Sequence, residues 1–307
     1  MIPTIVARQS VQERLARKWR KHFFRKLTKN ALPLFLNGKD IISRDPMANG
    51  DYEMEIHSLM NFWAANGYGD FLLDIGANIG LSACQSGIGF QEIHLFEPNP
   101  DALHILKVNV RIALGGRKVH IHEYGLGAQS EVLKLFIPRG NWGGAFIRSV
   151  HNAYDDLLLS NKDGYSRFDP ANYDAVEVQI EPAAVVLGSL LGALSERGLR
   201  RGVVKIDIEG FERLVTHALI QSTPPSTELF VIFENWRQAS PSAELTSSAA
   251  RPLSLFRLRS NLCARPKFFS RLRQAVRTWK DGEVWTLAPA EDSLHRGTYV
   301  MHIAPAA

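Results

Sequence analysis

Residues 71–80 have the sequence Phe-Leu-Leu-Asp-Ile-Gly-Ala-Asn-Ile-Gly. The apolar run at the start of this stretch is typical of a parallel strand that is buried on both faces of a sheet. The two glycines permit a sharp turn and a close approach of the backbone to a ligand. Residues 81–88 continue as a predicted helix whose N-terminus points at the same place. This order of strand, glycine turn and helix predicts a nucleotide-binding site.

A carboxylate ends the next predicted strand, which spans residues 92–97. Glu97 lies 23 residues after Asp74, about the interval at which dinucleotide-binding folds place an acid on the ribose hydroxyls. A carboxylate accepts hydrogen bonds from both hydroxyls of a ribose and repels a 2′-phosphate. The spacing therefore predicts a ribose that carries no 2′-phosphate.

The turn itself differs from the Rossmann pattern G-x-G-x-x-G, because Asn78 stands between the two glycines in the order G-x-N-x-G. Asp74, directly before the turn, suits a cation better than a phosphate. S-adenosylmethionine carries both an ammonium group and a ribose, so this methyl donor is the favoured ligand. A nicotinamide or flavin nucleotide, and a turn that binds no ligand, remain open on these residues alone.

Three blocks of the sequence together resemble one known family. They are Asp-Ile-Gly-Ala-Asn-Ile-Gly at 74–80, Phe-Glu-Pro-Asn-Pro at 96–100 and Val-Lys-Ile-Asp-Ile-Glu-Gly-Phe-Glu at 204–212. In this order they resemble the FkbM family of S-adenosylmethionine-dependent O-methyltransferases, over roughly residues 50–240. The resemblance implies the class I methyltransferase fold and methylation of a hydroxyl of a sugar, glycolipid or polyketide natural product. A long segment between the fifth and sixth predicted strands departs from the family, so no single relative supplies the acceptor.

The order of predicted elements gives the fold class. Five strands alternate with helices, and residues 283–287 and 298–303 are close enough in sequence to pair as a closing antiparallel hairpin. The pattern predicts an α/β, Rossmann-like sheet of seven strands with helices on both faces. We divide the chain into a basic amphipathic extension, residues 1–45, and a methyltransferase domain, residues 46–307. That domain carries a basic insertion at 238–280, which begins with a linker rich in Ser, Ala and Pro.

Charge is concentrated at two places. The chain has a net charge of +5, but residues 1–30 carry +8 and residues 251–280 carry +9, so the remainder carries −12. In the first segment, apolar residues recur every four positions from Val11 to Leu27, which indicates an amphipathic helix. Both segments are candidates for peripheral association with an anionic membrane. The alternative is a docked helix with a solvated basic face, and the acidic remainder makes nucleic acid an unlikely partner.

Composition also bears on the compartment. No stretch approaches the roughly 20 apolar residues that span a bilayer, and residues 1–30 lack the apolar centre of a signal peptide. The two cysteines have neither metal-ligand nor disulfide-framework spacing. We therefore predict a cytoplasmic protein, peripheral at the inner face of the membrane if the basic segments bind lipid.

The candidate site residues follow from these motifs. For the cofactor S-adenosylmethionine they are Asp74, Gly76, Asn78, Gly80, Glu97 and Leu126, with Leu126 against the adenine ring. Trp142 and Glu234 are candidates for acceptor binding, together with a long polar loop at 149–173. A helix predicted over residues 51–63, just before the first strand, brings Tyr52 and Glu53 towards the site.

Asp207 and Glu209 are the catalytic candidates, because they follow the fourth strand at the switch point where open α/β sheets bind ligands. Removal of the acceptor proton is the chemistry they would supply. The alternatives are that Asp207 holds the cofactor or a loop, that Glu209 caps the next helix, and that the pair holds Mg²⁺.

We predict no metal site at His120 and His122. They share one face of the third strand, but no third ligand has suitable spacing. Three other functions remain as alternatives: a nucleic-acid methyltransferase using the basic segments, a catalytically silent cofactor-binding partner, and a dehydrogenase. The fourth strand ends in Ile-Asp-Ile-Glu-Gly, which differs from the Asp/Asn-Pro-Pro-aromatic sequence that holds a base amine.

Overall fold

The structure is a computed structural model of the chain. It describes residues 19–20, 22–27, 29, 31–38, 40–48, 50–139, 141–148, 168–235, 240–241, 251–260, 285–291 and 293–306. Most of the predicted acceptor loop (149–167), much of the basic insertion (242–250 and 261–284) and the first 18 residues lie outside these ranges.

Helices and strands alternate through the first two thirds of the chain. After residue 40, the α-helices in the described part of the chain are α1 (Arg44–Ala48), α2 (Met54–Trp63), α3 (Leu81–Ser86), α4 (Pro100–Ala113), α5 (Ala183–Glu196) and α6 (Glu212–Ser222). In chain order, the strands as far as residue 235 are β1 (Phe71–Ile75), β2 (Glu92–Phe96), β3 (Lys118–His122), β4 (Gly125–Gly127), β5 (Glu131–Pro138), β6 (Phe146–Ile147), β7 (Tyr173–Pro182), β8 (Arg201–Ile206) and β9 (Glu228–Asn235). The remaining strands are β10 (Ser240–Pro241), β11 (Leu253–Ser260), β12 (Trp285–Pro289), β13 (Ser293–Leu294) and β14 (Gly297–Ile303).

Eight strands form the main sheet, in the order β3-β2-β1-β8-β9-β14-β11-β12. The strands from β3 to β9 in this order are parallel, whereas β14 runs antiparallel to both of its neighbours and β12 antiparallel to β11. Strand order reverses between β1 and β8, because the chain moves outward from β1 to β3 and later returns beside β1. The carboxyl ends of β1 and β8 therefore form the crevice in which ligands of such sheets bind.

Helices cover both faces of this sheet. Strand β1 shows why, since it is fully buried and its alternate side chains enter different cores. Phe71, Leu73 and Ile75 pack with α5 and α6, while Leu72 packs with α2, α3 and α4. The predicted Rossmann-like α/β fold with helices on both faces is confirmed.

A second sheet of four strands, in the order β4-β7-β5-β6, stands at the carboxyl end of the main sheet. Strand β4 pairs in parallel with β7, and β5 pairs antiparallel with both β7 and β6. Its core includes Leu135, Ile147 and Ile180, which pack against Phe211 before α6. This second sheet is not part of the seven-stranded sheet that the sequence predicts.

The predicted C-terminal hairpin is wrong. Strand β11 pairs with both β12 and β14 and separates them, so the main sheet has eight strands and not seven. The cause is the basic character of residues 253–260, which suggested a surface segment. Leu258 of β11 is buried in the core, while Arg259 on the other face pairs with Glu291 at 2.7 Å. Part of the predicted basic insertion is thus a strand of the main sheet.

The N-terminal extension is helical over residues 19–20 and 22–27. Its large apolar side chains stay exposed: Trp19 by 63%, Phe23 by 56% and Leu27 by 66%. Within the residues that the structure describes, no helix has the length and apolar character needed to cross a bilayer.

Candidate active site

The turn after β1 is held together by its own backbone. The N–H groups of Gly76 and Ala77 both donate to the Phe96 carbonyl, at 2.9 and 3.0 Å, and the Gly80 N–H donates to the Ala77 carbonyl at 2.8 Å. Gly76 has φ +90°, and a Cβ there would lie 1.9 Å from the Asp207 carbonyl oxygen. The glycine is therefore required by the segment directly after β8, independently of any ligand.

Glu97 is fixed at the end of β2 by two backbone donors. The Asn78 N–H donates to Oε2 and the Asn99 N–H to Oε1, each at 2.8 Å. Burial raises the pKa of Glu97 to about 7, although both of these hydrogen bonds act in the opposite direction. Each carboxylate oxygen retains a second acceptor site, so Glu97 can still accept hydrogen bonds from a ligand.

A cavity of about 420 Å³ opens at the carboxyl ends of β1, β2 and β8. This volume falls within the range of small-molecule sites. Eight of the predicted site residues line it: Gly76, Asn78, Glu97, Leu126, Trp142, Asp207, Glu209 and Glu234. Asp74 and Gly80 do not reach the lining. Gly80 precedes α3 with φ +87°, and Asp74 is buried behind the turn.

A buried lysine joins the ends of β1 and β8. Lys205 lies opposite Asp74 in the pairing of these strands, and its ammonium donates to Asp207 Oδ2 at 2.9 Å. Burial raises the pKa of Asp74 to about 6, against the opposing effects of Lys205 and of the Ala83 N–H. Among the described residues no donor satisfies either carboxylate oxygen of Asp74 in hydrogen-bond geometry. Lys205 is thus a cation of the protein itself that acts on Asp74 without a hydrogen bond to it.

The loop at 141–144 forms the wall opposite the turn. The Trp142 N–H donates to Asp40 Oδ1 at 3.1 Å, which ties the loop to the segment before α1. A Cβ on Gly143 would approach Ile42 to 2.7 Å and the Asn78 side chain to 3.7 Å. Trp142 packs against Ile79 at the edge of a small apolar cluster while still lining the cavity.

Four polar or charged residues outside the predicted list of site residues also line the cavity. Tyr52 and Glu53, anticipated only as neighbours of the site, reach it from the segment before α2, and Lys205 reaches it from β8. Arg296, which precedes β14, was missed because no motif surrounds it. Burial is the main cause of a pKa of about 7 at Glu53, and it raises the pKa of Tyr52 above its ordinary value.

Glu209 lies in the turn between β8 and α6. It is buried, lines the cavity and has φ 45°, a left-handed backbone conformation. The N–H of Gly210 donates to the carboxylate of Glu212 at 2.8 Å, and Phe211, directly before α6, makes no side-chain cap hydrogen bond. The alternative that Glu209 caps this helix stays a prediction.

Near the amino end of β2, His120 of β3 lies beside Glu92 and His94 of β2. Glu92, His94 and His120 bring three potential ligand atoms within 4.8 Å of one another, so the expectation of no third ligand is wrong. Glu92 and His94, the two potential ligands that the sequence analysis did not identify, belong to β2, which pairs with β3. Arg197 and Lys118, however, donate to Glu92 at 2.7 and 2.8 Å. These two cations already neutralise the carboxylate and oppose the binding of a metal ion.

Comparison with known proteins finds no match at the level of sequence. No protein-family model matches this chain, and neither does any characterised protein. Among solved structures, a proposed O-methyltransferase from Klebsiella pneumoniae is 9% identical, with a TM-score of 0.41 over 84% of this chain and 83% of that chain. An O-methyltransferase from Bacillus cereus in complex with SAH is 8% identical, with a TM-score of 0.38 over 97% of this chain and 92% of that chain.

A proposed RNA methyltransferase from Pyrococcus horikoshii is similar to the same degree, with 10% identity and a TM-score of 0.36 over 94% of this chain and 96% of that chain. The solved structures thus include methyltransferases with different kinds of acceptor. What these proteins bind or methylate is known for them and not for this chain. Their TM-scores are below 0.5, so the similarity carries no argument about function. The residues of the cavity do.

Proposed function

We propose that the protein is an S-adenosylmethionine-dependent methyltransferase that acts on a hydroxyl group of a sugar, glycolipid or related natural product. The observation that carries the proposal is the hydrogen bonding of the turn at 76–80. The N–H groups of Gly76, Ala77, Asn78 and Gly80 all donate to atoms of the protein. A dinucleotide turn needs such groups for its pyrophosphate. This turn instead directs them to Phe96, Glu97 and Ala77.

The cavity residues fit a nucleoside that carries an amino acid and no phosphate. Glu97, oriented by two backbone N–H groups, would hold the ribose hydroxyls. Leu126, in the buried strand β4, would contact the adenine ring. Asn78, with its side-chain oxygen unpartnered among the described residues, and the turn backed by Asp74 would hold the amino-acid part. When bound, this donor supplies a methyl group on a sulfonium, which is a good leaving group.

The acceptor side of the cavity carries more acids than bases. The carboxylates of Glu53, Asp207, Glu209 and Glu234 line it together with Lys205 and Arg296. A polyhydroxylated acceptor suits such a wall, because carboxylates accept hydrogen bonds from hydroxyls. Trp142 offers an aromatic face on which a sugar ring can stack. We assign acceptor binding to Trp142 and Glu234. A sugar as the acceptor also agrees with the FkbM resemblance.

Asp207 and Glu209 remain our proposed catalytic pair. Asp207 holds the buried Lys205 ammonium at 2.9 Å, which fixes both groups beside the cavity. Catalysis of methyl transfer is largely positioning of donor and acceptor. The two residues would orient the acceptor oxygen, and a carboxylate would accept its proton. With the Lys205 cation already among these acids, we propose a site that works without Mg²⁺.

The test compares nucleotides and then acceptors. We expect calorimetry to show binding of S-adenosylmethionine with a dissociation constant on the order of 1 μM to 1 mM, and no binding of NAD. Labelled methyl groups should then pass into a cell-envelope fraction in a form that is stable as an ether. Binding of NAD alone would overturn the methyltransferase assignment. Label found only in nucleic acid would favour the nucleic-acid alternative.

We also propose that the N-terminal extension binds an anionic membrane surface. Trp19, Phe23 and Leu27 recur at intervals of four residues, all more than half exposed, in a helical segment that includes Arg20 and Lys26. Such a stripe beside basic residues suits lipid headgroups and the adjacent acyl region. The protein should sediment with vesicles of phosphatidylcholine and phosphatidylglycerol, and less so after deletion of residues 1–30. Equal sedimentation of both proteins would refute this partner.

A further inference from the structure

Glu53 stands out among the carboxylates of the cavity because little in the protein engages it. Its side chain is 27% exposed and lines the cavity. Oxygen Oε2 is buried and has no hydrogen-bond partner among the described residues. The Lys205 ammonium is 4.0 Å from this oxygen, which is too far for a hydrogen bond. A buried acceptor without a donor is costly, so its position calls for a ligand.

Asp207 differs from Glu53 at the same ammonium. The Lys205 Nζ donates to Asp207 at 2.9 Å, so that carboxylate is already in a charge-assisted hydrogen bond. Lys205 is buried, and the neighbouring acids raise its pKa against the effect of burial, so it keeps its positive charge. The ammonium therefore has Asp207 as its close partner and Glu53 as its distant one. A group bound between Lys205 and Glu53 would contact both.

Glu53 has a strained backbone conformation, and its side chain lines the cavity. Among the described residues, three residues other than glycine have a positive φ: Glu53 at 46°, Asn78 at 49° and Glu209 at 45°. All three line the cavity. The left-handed conformation costs a residue with a side chain roughly 1–2 kcal/mol and is tolerated best by Asn and Asp. Glutamate has no such tolerance, and strain of this kind concentrates at functional sites.

Neighbouring hydrogen bonds hold Glu53 in place. The His57 N–H donates to the Glu53 carbonyl at 3.0 Å, which begins α2. Gln85 of α3 accepts from the Tyr52 N–H at 2.9 Å and donates to the Tyr52 carbonyl at 3.3 Å. The residue before Glu53 and the turn after it are thus fixed independently of its side chain. The carboxylate is positioned before any ligand binds.

We propose that Glu53 is the proton acceptor for the hydroxyl group that the enzyme methylates, with Lys205 and Asp207 positioning the acceptor oxygen. This inference rests on the proposed methyltransferase function and assigns the base within it. The acceptor oxygen uses an electron pair to form the new bond to the methyl carbon, and the carbon–sulfur electron pair leaves with the thioether. The hydroxyl proton passes to the Glu53 carboxylate. The resulting carboxylic acid then returns that proton to solvent.

Proton affinity supports this assignment. Burial raises the pKa of Glu53 to about 7, with Asp207 and Glu55 acting in the same direction and Lys205 in the opposite one. A general base works best when its pKa lies near the operating pH. Glu53 therefore combines an oxygen that has no hydrogen-bond donor, a fixed backbone position and a suitable proton affinity.

The first test needs no acceptor. S-adenosylmethionine carries a positive sulfonium where S-adenosylhomocysteine has a neutral thioether, so only the former should lower the pKa of a carboxylate beside the reacting methyl group. Calorimetry at pH 7 in buffers of different ionisation enthalpy should show that S-adenosylmethionine releases about half a proton more than S-adenosylhomocysteine. The difference should vanish in Glu53→Gln and persist in Glu177→Gln, a matched change at an exposed glutamate of β7 outside the cavity lining.

Two results of this test would overturn the inference. One is a Glu53→Gln variant that keeps the difference in proton release. The other is equal release by both nucleotides in the wild type with loss of affinity for both in Glu53→Gln, which would put the carboxylate on the amino-acid ammonium. If the wild-type protein does not bind S-adenosylmethionine, the proposed function fails before Glu53 is in question.

The second test measures transfer of labelled methyl to the envelope fraction that the wild-type protein labels. Glu53→Gln should lower the single-turnover rate by about 10²–10⁴-fold and remove the rise of the rate with pH near 7. Its affinity for S-adenosylhomocysteine should stay within about twofold, which also verifies folding. Glu177→Gln should retain the wild-type rate. A full rate in Glu53→Gln, with transfer intact, would exclude Glu53 as the base and leave the methyltransferase function standing.

Discussion

Strand β2 carries one glutamate at its start and another directly after its end, and the two have opposite environments. Glu92 lies among Arg197, Lys118 and His94, whose nitrogens are 2.7–3.1 Å from its oxygens. Hydrogen bonds from Arg197 and Lys118 outweigh burial and lower the pKa of Glu92 to about 2. Glu97 has only two backbone N–H donors, and burial raises its pKa to about 7.

The difference separates a structural end of the sheet from a functional one. At the amino end, the partners of the acid belong to the protein, and the His94 imidazole is neutral because burial lowers its pKa to about 4. At the carboxyl end, both carboxylate oxygens of Asp74 and Oε2 of Glu53 have no hydrogen-bond partner among the described residues. Buried polar groups are normally satisfied, so unsatisfied ones indicate where a ligand belongs. Each of the following predictions tests one side of this contrast.

The largest effect should come from Gly76→Ala at the carboxyl end. The added Cβ would lie 1.9 Å from the Asp207 carbonyl oxygen, at a φ of +90°. The strands β1 and β8 would have to separate, so we expect a loss of at least about 3 kcal/mol in the free energy of unfolding. Urea unfolding measures it. Gly116→Ala is the control, because it has φ +87° with nothing within 4 Å of the new Cβ.

The control separates packing from backbone strain. Gly116→Ala should cost only about 1 kcal/mol, the cost of a left-handed alanine. Equal losses in the two variants would mean that the turn at Gly76 can relax. The contact with the segment after β8 would then not require a glycine at position 76.

A smaller effect is expected for Glu92→Gln at the amino end. The substitution removes the charge that Arg197 and Lys118 neutralise and leaves these two partly exposed cations to water. We expect a loss of about 2 kcal/mol at pH 7, below the 3–5 kcal/mol of a fully buried pair. Glu123→Gln removes the exposed partner of Lys107 and should cost less than about 0.5 kcal/mol.

Acid should erase the difference between wild type and Glu92→Gln. The pKa of Glu92 is about 2 in the folded state and 4.5 as an ordinary glutamate, so its contribution is present above pH 4.5 and is lost as the pH falls towards 2. A difference in stability that stays constant between pH 5 and pH 3 would contradict the proposed role of Arg197. His94 adds a loss of its own as pH falls from 6.5 towards 4, so the comparison has to be made between variants.

The sequence predicted the carboxyl end better than the amino end, for a physical reason. The turn at 76–80, Glu97 and Asp207 lie in continuous motifs directly after strands, and the carboxyl ends of parallel strands meet. Each of these residues could therefore be located without knowledge of the sheet order. The cluster at the amino end combines Glu92 of β2, His120 of β3 and Arg197 after α5. Their proximity depends on which strands pair, and no local pattern contains that information.

The misassigned region shows the same limit. Residues 253–260 have basic residues where a surface segment would have them, yet they form β11 within the main sheet. The alternation of Leu258 with Arg257 and Arg259 has the period of a strand, and this was the available signal. The positive φ of Glu53 has no counterpart in the sequence, since glutamate is not a residue that favours it. Its direction into the cavity follows only from the assembled fold.

The smallest change in stability, with a distinct change in binding, should follow Glu97→Gln. Its pKa of about 7 lies above the ordinary 4.5, so the stability that Glu97 contributes is complete below pH 4.5 and is lost as the pH rises through 7. Glutamine keeps acceptance from one backbone N–H and carries no charge to desolvate. The variant should therefore match or slightly exceed the wild type in stability at pH 8. Its affinity for S-adenosylmethionine should fall about tenfold, because a charged acceptor of the ribose hydroxyls is lost.

Stability and affinity thus move in opposite directions at Glu97 and would not do so at Glu92, where the charge serves the fold. Thermal unfolding at pH 6 and pH 8, with calorimetry of the same preparations, measures both quantities. Glu177→Gln, an exposed change on β7, should alter neither. A Glu97→Gln protein that is less stable than wild type at pH 8 and binds the nucleotide unchanged would reverse the contrast, and would make Glu97 a structural acid like Glu92.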